Sequence, residues 1–212
     1  MTKKQKMAEI IRILKENVRN DCALEYEGDA WRLAVMARLS AQCTDARVNT
    51  VSRELFKRYP TAKDMAIADI TELENTVRPC GLFRTKASSI KEMSAIIVDK
   101  YDGNVPSEMD DLLALPGVGR KIANLIRGDL YNLGGIVADT HCIRICGRLG
   151  FYPENEKDAH KVEKTLAPLV PTEEQTDLCH RLVWFGRETC TARSPKCNLC
   201  PLNHLCKHFK NK

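Results

Sequence analysis

No apolar run in this 212-residue chain approaches membrane-spanning length. The opening stretch, Met1-Thr-Lys-Lys-Gln-Lys6, lacks the hydrophobic segment of a secretion signal. Both absences point to a cytoplasmic protein with no membrane partner. Also missing are any strand-like stretch of convincing length, any internal repeat and any low-complexity segment. What remains is an all-α globular fold. Hydrophobic residues make up 43% and charged residues 29%, an ordinary globular balance, and the length suits one large or two small domains.

The net charge of +5 is unevenly placed. From Arg187 onward there are six basic residues (Arg187, Arg193, Lys196, Lys207, Lys210 and Lys212) against one acid, Glu188, so the rest of the chain is balanced. A basic tail is often merely solvated, but one surrounding a rigid loop is well placed to touch a phosphate backbone. That tail is also rich in cysteine. Ten cysteines in a cytoplasmic-looking chain argue against a disulfide framework. Four of them form Cys190-x6-Cys197-x2-Cys200-x5-Cys206, a run suited to a four-thiolate metal centre. Zinc ribbons use two tight knuckles and iron–sulfur clusters also take such runs, so spacing leaves iron against zinc open. Cys22, Cys43, Cys80, Cys142, Cys146 and Cys179 share no ligand spacing, and most read as small buried hydrophobes.

Along the chain, Met7, Ile10, Ile11, Leu14 and Val18 mark an amphipathic first helix. Asp29 is a candidate cap for a second helix in which Trp31, Val35 and Leu39 face inward. Ser40-Ala-Gln-Cys-Thr-Asp45 interrupts it as a turn, and Thr44 opens a third helix through Val48, Val51, Leu55 and Phe56. Pro79-Cys-Gly-Leu-Phe-Arg84 forms a second loop with Leu82 and Phe83 exposed. A long helix follows from Thr85 to Tyr101. Thr172 and Gln175 read as a capping box for a helix ending at Gly186, directly before the metal loop.

The most informative stretch runs from Ser107 to Leu149. Ser107 and Asp110 make a capping-box pattern, with Leu112, Leu113 and Leu115 as the apolar side of a short helix. Pro116 ends it, Gly117 and Gly119 allow a sharp turn, and a new helix starts at about Arg120. The turn amides and the second helix's N-terminus carry partial positive charge suited to a phosphate. Lys121 falls in that helix's first turn. Helix potential, adjacent Arg120 and partial burial would lower its pKa and make it a nucleophile, the alternative being a surface lysine that contacts phosphate. Asp139 falls at a later helix start, where capping by itself accounts for an aspartate.

Leu115-Pro-Gly-Val-Gly-Arg-Lys-Ile-Ala-Asn124, followed by Val137-Ala-Asp-Thr-His141, resembles the helix-hairpin-helix signature of the endonuclease III family of DNA glycosylases. The resemblance runs from about Leu39 to Cys206. It implies a helix-hairpin-helix glycosylase fold of two α-helical domains with DNA across the cleft between them. The expected division is a six-helix barrel over 24–134, with the hairpin at about 107–131. The cluster domain would combine 1–23 with 135–212, its loop being 190–206.

The same resemblance implies that Lys121 attacks the sugar C1′, that Asp139 assists, and that the four-cysteine run holds a [4Fe–4S] cluster. Gln42 and Leu82 match residues that fill and wedge the gap left by a displaced nucleotide. Ser40 and Asp45 line the base pocket. Gly117, Gly119, Arg120, Arg193 and Lys196 are the expected backbone contacts. The implied activity is a bifunctional DNA glycosylase and abasic-site lyase of base excision repair. Oxidised pyrimidines are the expected bases, and the protein would act as a monomer on damaged double-stranded DNA in the nucleoid. Alternatives are a monofunctional adenine glycosylase-like enzyme, which would lack the hairpin lysine, a non-catalytic DNA-binding module, and a zinc-stabilised interaction protein. Departures from the family pattern are Cys43 for alanine, Ile122 for threonine, Ala138 before the aspartate, and Gly134-Gly135.

Overall fold

Twelve α-helices and no β-strand make up the described residues, Met1–Lys210 of a computed structural model. Lys212 of the basic tail lies outside them. The helices are α1 (Lys3–Asn17), α2 (Ala30–Leu39), α3 (Asp45–Arg58), α4 (Ala62–Ala66), α5 (Ile70–Val77) and α6 (Phe83–Tyr101). They continue as α7 (Met109–Leu113), α8 (Arg120–Tyr131), α9 (Thr140–Leu149), α10 (Ala159–Leu166), α11 (Thr172–Glu188) and α12 (Lys207–Lys210). Packing divides them into two compact units. One is Ala23–Tyr131, with α2–α8; the other joins Met1–Cys22 to the chain from Asn132 onward.

The first unit is built around α2. Trp31, Leu33, Ala34, Val35, Met36, Ala37 and Leu39 are all buried, leaving this helix apolar on nearly every side, as a core helix must be. Asp29 caps it by accepting the Arg32 amide at 2.8 Å. Helices α3, α6 and α8 pack around it. Trp31 Nε1 donates to Ser94 Oγ at 2.8 Å, and that hydroxyl donates on to the Ile90 carbonyl at 2.7 Å. The indole therefore enters the core with its polar atom satisfied.

A second polar group is buried in this unit, and the sequence reading missed it. Lys86 on α6 has no solvent exposure. Its ammonium donates to the carbonyls of Leu39 at 2.8 Å, Ala41 at 2.7 Å and Cys80 at 2.8 Å. All three ammonium protons are spent, which is what makes a buried lysine tolerable. Their acceptors are the end of α2, the Ser40–Asp45 turn and the 3-10 turn Arg78–Cys80, so one charge pins two loops to one helix. Helix α6 starts at Phe83, two residues before the expected Thr85. Gly81 and Leu82 both take positive φ (70° and 47°) and turn the chain sharply into it. Phe83 is half-buried rather than exposed, with the Arg78 and Arg84 guanidinium groups 4.8 and 5.5 Å from its ring.

The second unit combines chain ends far apart in sequence. Helix α1 opens with a capping box between Thr2 and Gln5 and buries Met7, Ile10, Ile11, Ile13 and Leu14 in one core with α9, α10 and α11. Lys3 Nζ donates to the Phe151 carbonyl at 2.9 Å, and Trp184 Nε1 donates to the Asp21 carbonyl at 2.8 Å. Arg181 pairs with Asp177 at 2.6 Å and also donates to the Val18 carbonyl.

The expected capping box of Thr172 and Gln175 does not form. Pro171 holds the cap position, and buried Gln175 instead accepts the Gly135 amide at 2.8 Å and donates to the Val170 carbonyl at 3.2 Å. This accounts for the Gly134-Gly135 departure. A Cβ on Gly134 would lie 2.6 Å from Thr172 Cγ2 and 2.7 Å from its carbonyl oxygen, and both glycines take positive φ.

Lys86→Met is expected to lose about 2–4 kcal/mol of stability, because three buried carbonyls lose a charged donor. Burial holds the Lys86 pKa below the ordinary lysine value of 10.5, so the unfolded chain binds that proton more tightly. Stability contributed through this group therefore rises with pH in the interval just below 10.5. Denaturant melts across that interval check both points: the variant should show a lower midpoint and lack that part of the slope.

Candidate active site and cluster loop

The helix-hairpin-helix element is α7, the turn from Ala114 to Gly119, and α8. Leu112, Leu115 and Val118 are buried and anchor it, whereas Leu113 points to solvent. The expected Ser107 cap is displaced by one residue: Glu108 holds the cap position and no side chain bonds there. Within the turn, Leu115 N donates to the Leu112 carbonyl and Val118 N to the Leu115 carbonyl, both at 3.1 Å. The amides of Gly117 and Gly119 take no part in those bonds.

Only one of the two glycines needs a left-handed backbone. Gly117 has φ 78°, and a Cβ there would meet Arg38 Nε at 2.4 Å. Gly119 has no such φ and open space beside it. Arg38, on α2, is a neighbour the sequence did not reveal: its Nε is buried without a hydrogen-bond partner, and burial lowers its pKa.

Lys121 sits in the first turn of α8, a helix that buries Ala123, Asn124, Ile126 and Gly128. It is exposed, so the expected partial burial is absent, and its ammonium makes no ion pair or hydrogen bond among the described residues. Several other lysines spend their charge on backbone: Lys3, Lys86 and Lys91 all donate to carbonyls. Arg120 beside Lys121 is exposed as well.

Asp139 belongs to the other unit. It caps α9, Oδ1 accepting the Cys142 amide at 2.7 Å, and the cap does not use its second oxygen. The residue is half-buried. His141 packs between α9 and α11. Its Nδ1 lies 3.3 Å from Arg144 Nη2, and a Cβ on Gly186 would come within 2.3 Å of that nitrogen.

The two loops pinned by Lys86 carry the next group. Ser40 ends α2 with its hydroxyl on the Ala37 carbonyl at 2.8 Å. Gln42 is exposed and holds φ 55°. Leu82 is 56% exposed at φ 47°. Two non-glycine residues in this region, each costing on the order of 1 kcal/mol, persist only where the surroundings impose them. Asp45 opens α3, with Thr44 in the cap position.

The cluster loop is fastened by α9. Arg144 donates to the Cys190 carbonyl at 2.9 Å. Arg148 donates to Cys190 Sγ at 3.3 Å, the Thr191 carbonyl at 2.8 Å and the Ala192 carbonyl at 2.9 Å. Cys190, Cys197, Cys200 and Cys206, none of them in a disulfide, line one recess with Arg148, Thr189 and His208. Arg193 and Lys196 are exposed on the same loop. Burial, helped by the other three sulfurs, pushes the Cys200 thiol up to about 11, and burial also raises Cys206. Four such thiolates need a cationic centre to offset their charge.

Fold and site together define a class: the chain matches the family described as HhH-GPD superfamily base excision DNA repair protein over residues 35–172. Residues 190–206 match the iron-sulfur binding domain of endonuclease III. A curated endonuclease III from Synechocystis is 40% identical, covering 97% of this chain and 93% of its own. One from Bacillus subtilis is 41% identical over 88% and 84%. A solved trapped endonuclease III–DNA covalent intermediate superposes with TM-score 0.91 at 40% identity, covering 100% of this chain and 99% of that one. The chain belongs to the endonuclease III family.

The four-cysteine loop accordingly holds a [4Fe–4S] cluster. Bound, it ties four points of the loop together and carries about −2 overall beside Arg148. Among the described residues no helix is long and apolar enough to cross a membrane.

Arg148→Met removes the hydrogen bond to a ligand sulfur and two to loop carbonyls. Iron should then be lost to a chelator faster than from the unaltered protein, with stability lower by about 1–3 kcal/mol. Iron content over time and a thermal melt check this; release at the original rate would count against the clamp.

Proposed function

We propose that this chain works as a bifunctional DNA glycosylase and abasic-site lyase of base excision repair, with Lys121 as nucleophile and Asp139 as its acidic partner. The observation that carries the assignment is Lys121 itself: an unpaired, exposed amine in the first turn of a helix entered through a glycine hairpin. Its substrate is double-stranded DNA with damaged bases, oxidised pyrimidines by family resemblance, or abasic sites. The protein acts on nucleoid DNA in the cytoplasm. Residues 23–131 serve as the barrel domain and the remainder as the cluster domain.

Binding comes first. The unshared amides of Gly117 and Gly119, with Arg120, grip a phosphate at the positive end of α8. Arg193 and Lys196 add sequence-independent backbone contacts. Gln42 and Leu82 enter the gap as the damaged nucleotide leaves the stack, and Ser40 and Asp45 line the pocket that receives its base. Unstacking costs a few kcal/mol, which apolar insertion offsets.

Chemistry follows at the sugar. The Lys121 lone pair forms a bond to C1′ as the glycosidic C1′–N bond breaks and its electrons leave with the base. Asp139 stabilises positive charge developing on the sugar. Loss of the amine proton and ring opening give an imine between Nζ and C1′. That imine acidifies C2′–H, and removal of this proton expels the 3′ phosphate oxygen by β-elimination. Water then frees the enzyme. Lys121 is solvated in the protein alone, so only DNA laid over it removes it from water.

Two substitutions test the assignment. Lys121→Gln should abolish borohydride-trapped adduct with an abasic duplex while leaving binding within a few-fold; a persisting adduct would falsify the role. Asn caps helices as well as Asp does, so Asp139→Asn should melt like the unaltered protein. Its base-release rate should nevertheless fall by about 10²–10⁴. Should melting temperature and rate fall together, Asp139 is only a cap.

A further inference from the structure

Two cysteines outside the cluster meet where the two gap-filling loops meet. Cys43 follows Gln42 in the turn before α3, and Cys80 ends the 3-10 turn just before Gly81 and Leu82. Helix α3 packs against that 3-10 turn. The carbonyls of Ala41 and Cys80 share the Lys86 ammonium at 2.7 and 2.8 Å, which holds the two backbones side by side. Cys43 is near enough to be among the groups that raise the Cys80 thiol. Neither is in a disulfide. Solvent reaches Cys43, which is half-buried, whereas Cys80 is 2% exposed. Burial pushes the Cys80 thiol up to about 11 against the opposing pull of Lys86 and Arg47, so Cys80 is quiet as a first reactant. It is well placed as a second one.

We propose that Cys43 and Cys80 are a peroxide-modified dithiol, closing a disulfide between the loop of Gln42 and the loop of Leu82. The steps balance. Cys43 sulfur attacks one oxygen of a hydroperoxide; the O–O bond breaks, sulfur is oxidised by two electrons, and a sulfenic acid forms with release of water or an alcohol. Cys80 sulfur then displaces the sulfenic oxygen, which leaves as water with the Cys80 proton. With hydrogen peroxide, two thiols and one peroxide give one disulfide and two waters. A reducing dithiol reverses it. Reversible disulfides of this kind are the sort a reducing cytoplasm permits.

Closure has a mechanical consequence. A disulfide fixes its sulfurs at about 2.0 Å, so closing it draws the two loops together. Gln42 and Leu82 stand one and two residues from the joined sulfurs, both in backbone conformations their surroundings must impose. The thiol chemistry is independent of any DNA role; the effect on DNA rests on the reading of Gln42 and Leu82 given above.

The cluster-loaded protein, treated with a few equivalents of hydrogen peroxide, alkylated and digested, should yield peptides joined through Cys43 and Cys80. These should lack two hydrogens relative to the free thiols, disappear with dithiothreitol, and be missing from Cys43→Ala and Cys80→Ala. Affinity for a duplex containing a tetrahydrofuran abasic analogue should fall about tenfold on oxidation and recover on reduction. The Cys43→Ala protein, its cluster equally exposed to peroxide, should show no such oxidation-dependent loss. Oxidation that stops at sulfenic or sulfinic Cys43, with no joined peptide, overturns the proposal. A joined peptide with unchanged affinity overturns the coupling to DNA. Gln42→Ala and Leu82→Ala, assayed alongside without peroxide, identify whether the reading of those loops is what failed.

Discussion

An α-helix cannot bond its own first amides, and the residues proposed for the chemistry of this protein stand where those amides are left over. Lys121 lies in the first turn of α8, Asp139 caps α9, Asp45 opens α3, and Leu82 precedes α6. In an all-helical chain, these ends are where backbone donors stay unpaired and where residues can leave the helical register. A phosphate, a carboxylate or a sharply turned loop each satisfies that need differently. At α9 the carboxylate answers it, with one oxygen on the Cys142 amide. At α8 the sequence supplies glycines ahead of the helix, an end of the kind that suits an external anion.

Helix ends are useful only if held still, and the holding is done from elsewhere in the chain. Lys86 fastens the turn before α3 and the turn before α6 with a single buried ammonium. A charge deep in a core tolerates little displacement, because each carbonyl it abandons is left without a partner. The same fastening sets Cys43 beside Cys80, so two loops that share an electrostatic anchor also share a possible covalent one. In the other unit, Arg144 and Arg148 tie the α9 that Asp139 caps to the loop bearing the cluster ligands. The cluster loop is thereby part of what positions that helix.

Much of this was legible along the chain. The all-α class followed from helical spacing, the hairpin from Pro116 and Gly117, and the cluster ligands from the spacing of four cysteines. Each of these signals is local, set by backbone conformation or by reach between near neighbours. Iron against zinc was open by spacing, and the match of residues 190–206 to an iron-sulfur binding domain decided it. Misread positions failed for non-local reasons. Gln175 looked like half of a capping box but serves the Gly135 amide, 40 residues away. Lys86, which no spacing marked, serves carbonyls of two loops outside its own helix.

The sequence by itself determined the helices, the turn between α7 and α8, and the four-cysteine run, because propensity, capping and ligand spacing act within a few residues. Tertiary structure alone decided that Lys86 is a buried anchor, that Lys121 has no partner among the described residues, that Arg38 crowds Gly117, and that the loop of Cys43 lies beside that of Cys80. Those outcomes depend on burial and on contacts between distant segments, and neither is encoded in the spacing of neighbours along the chain.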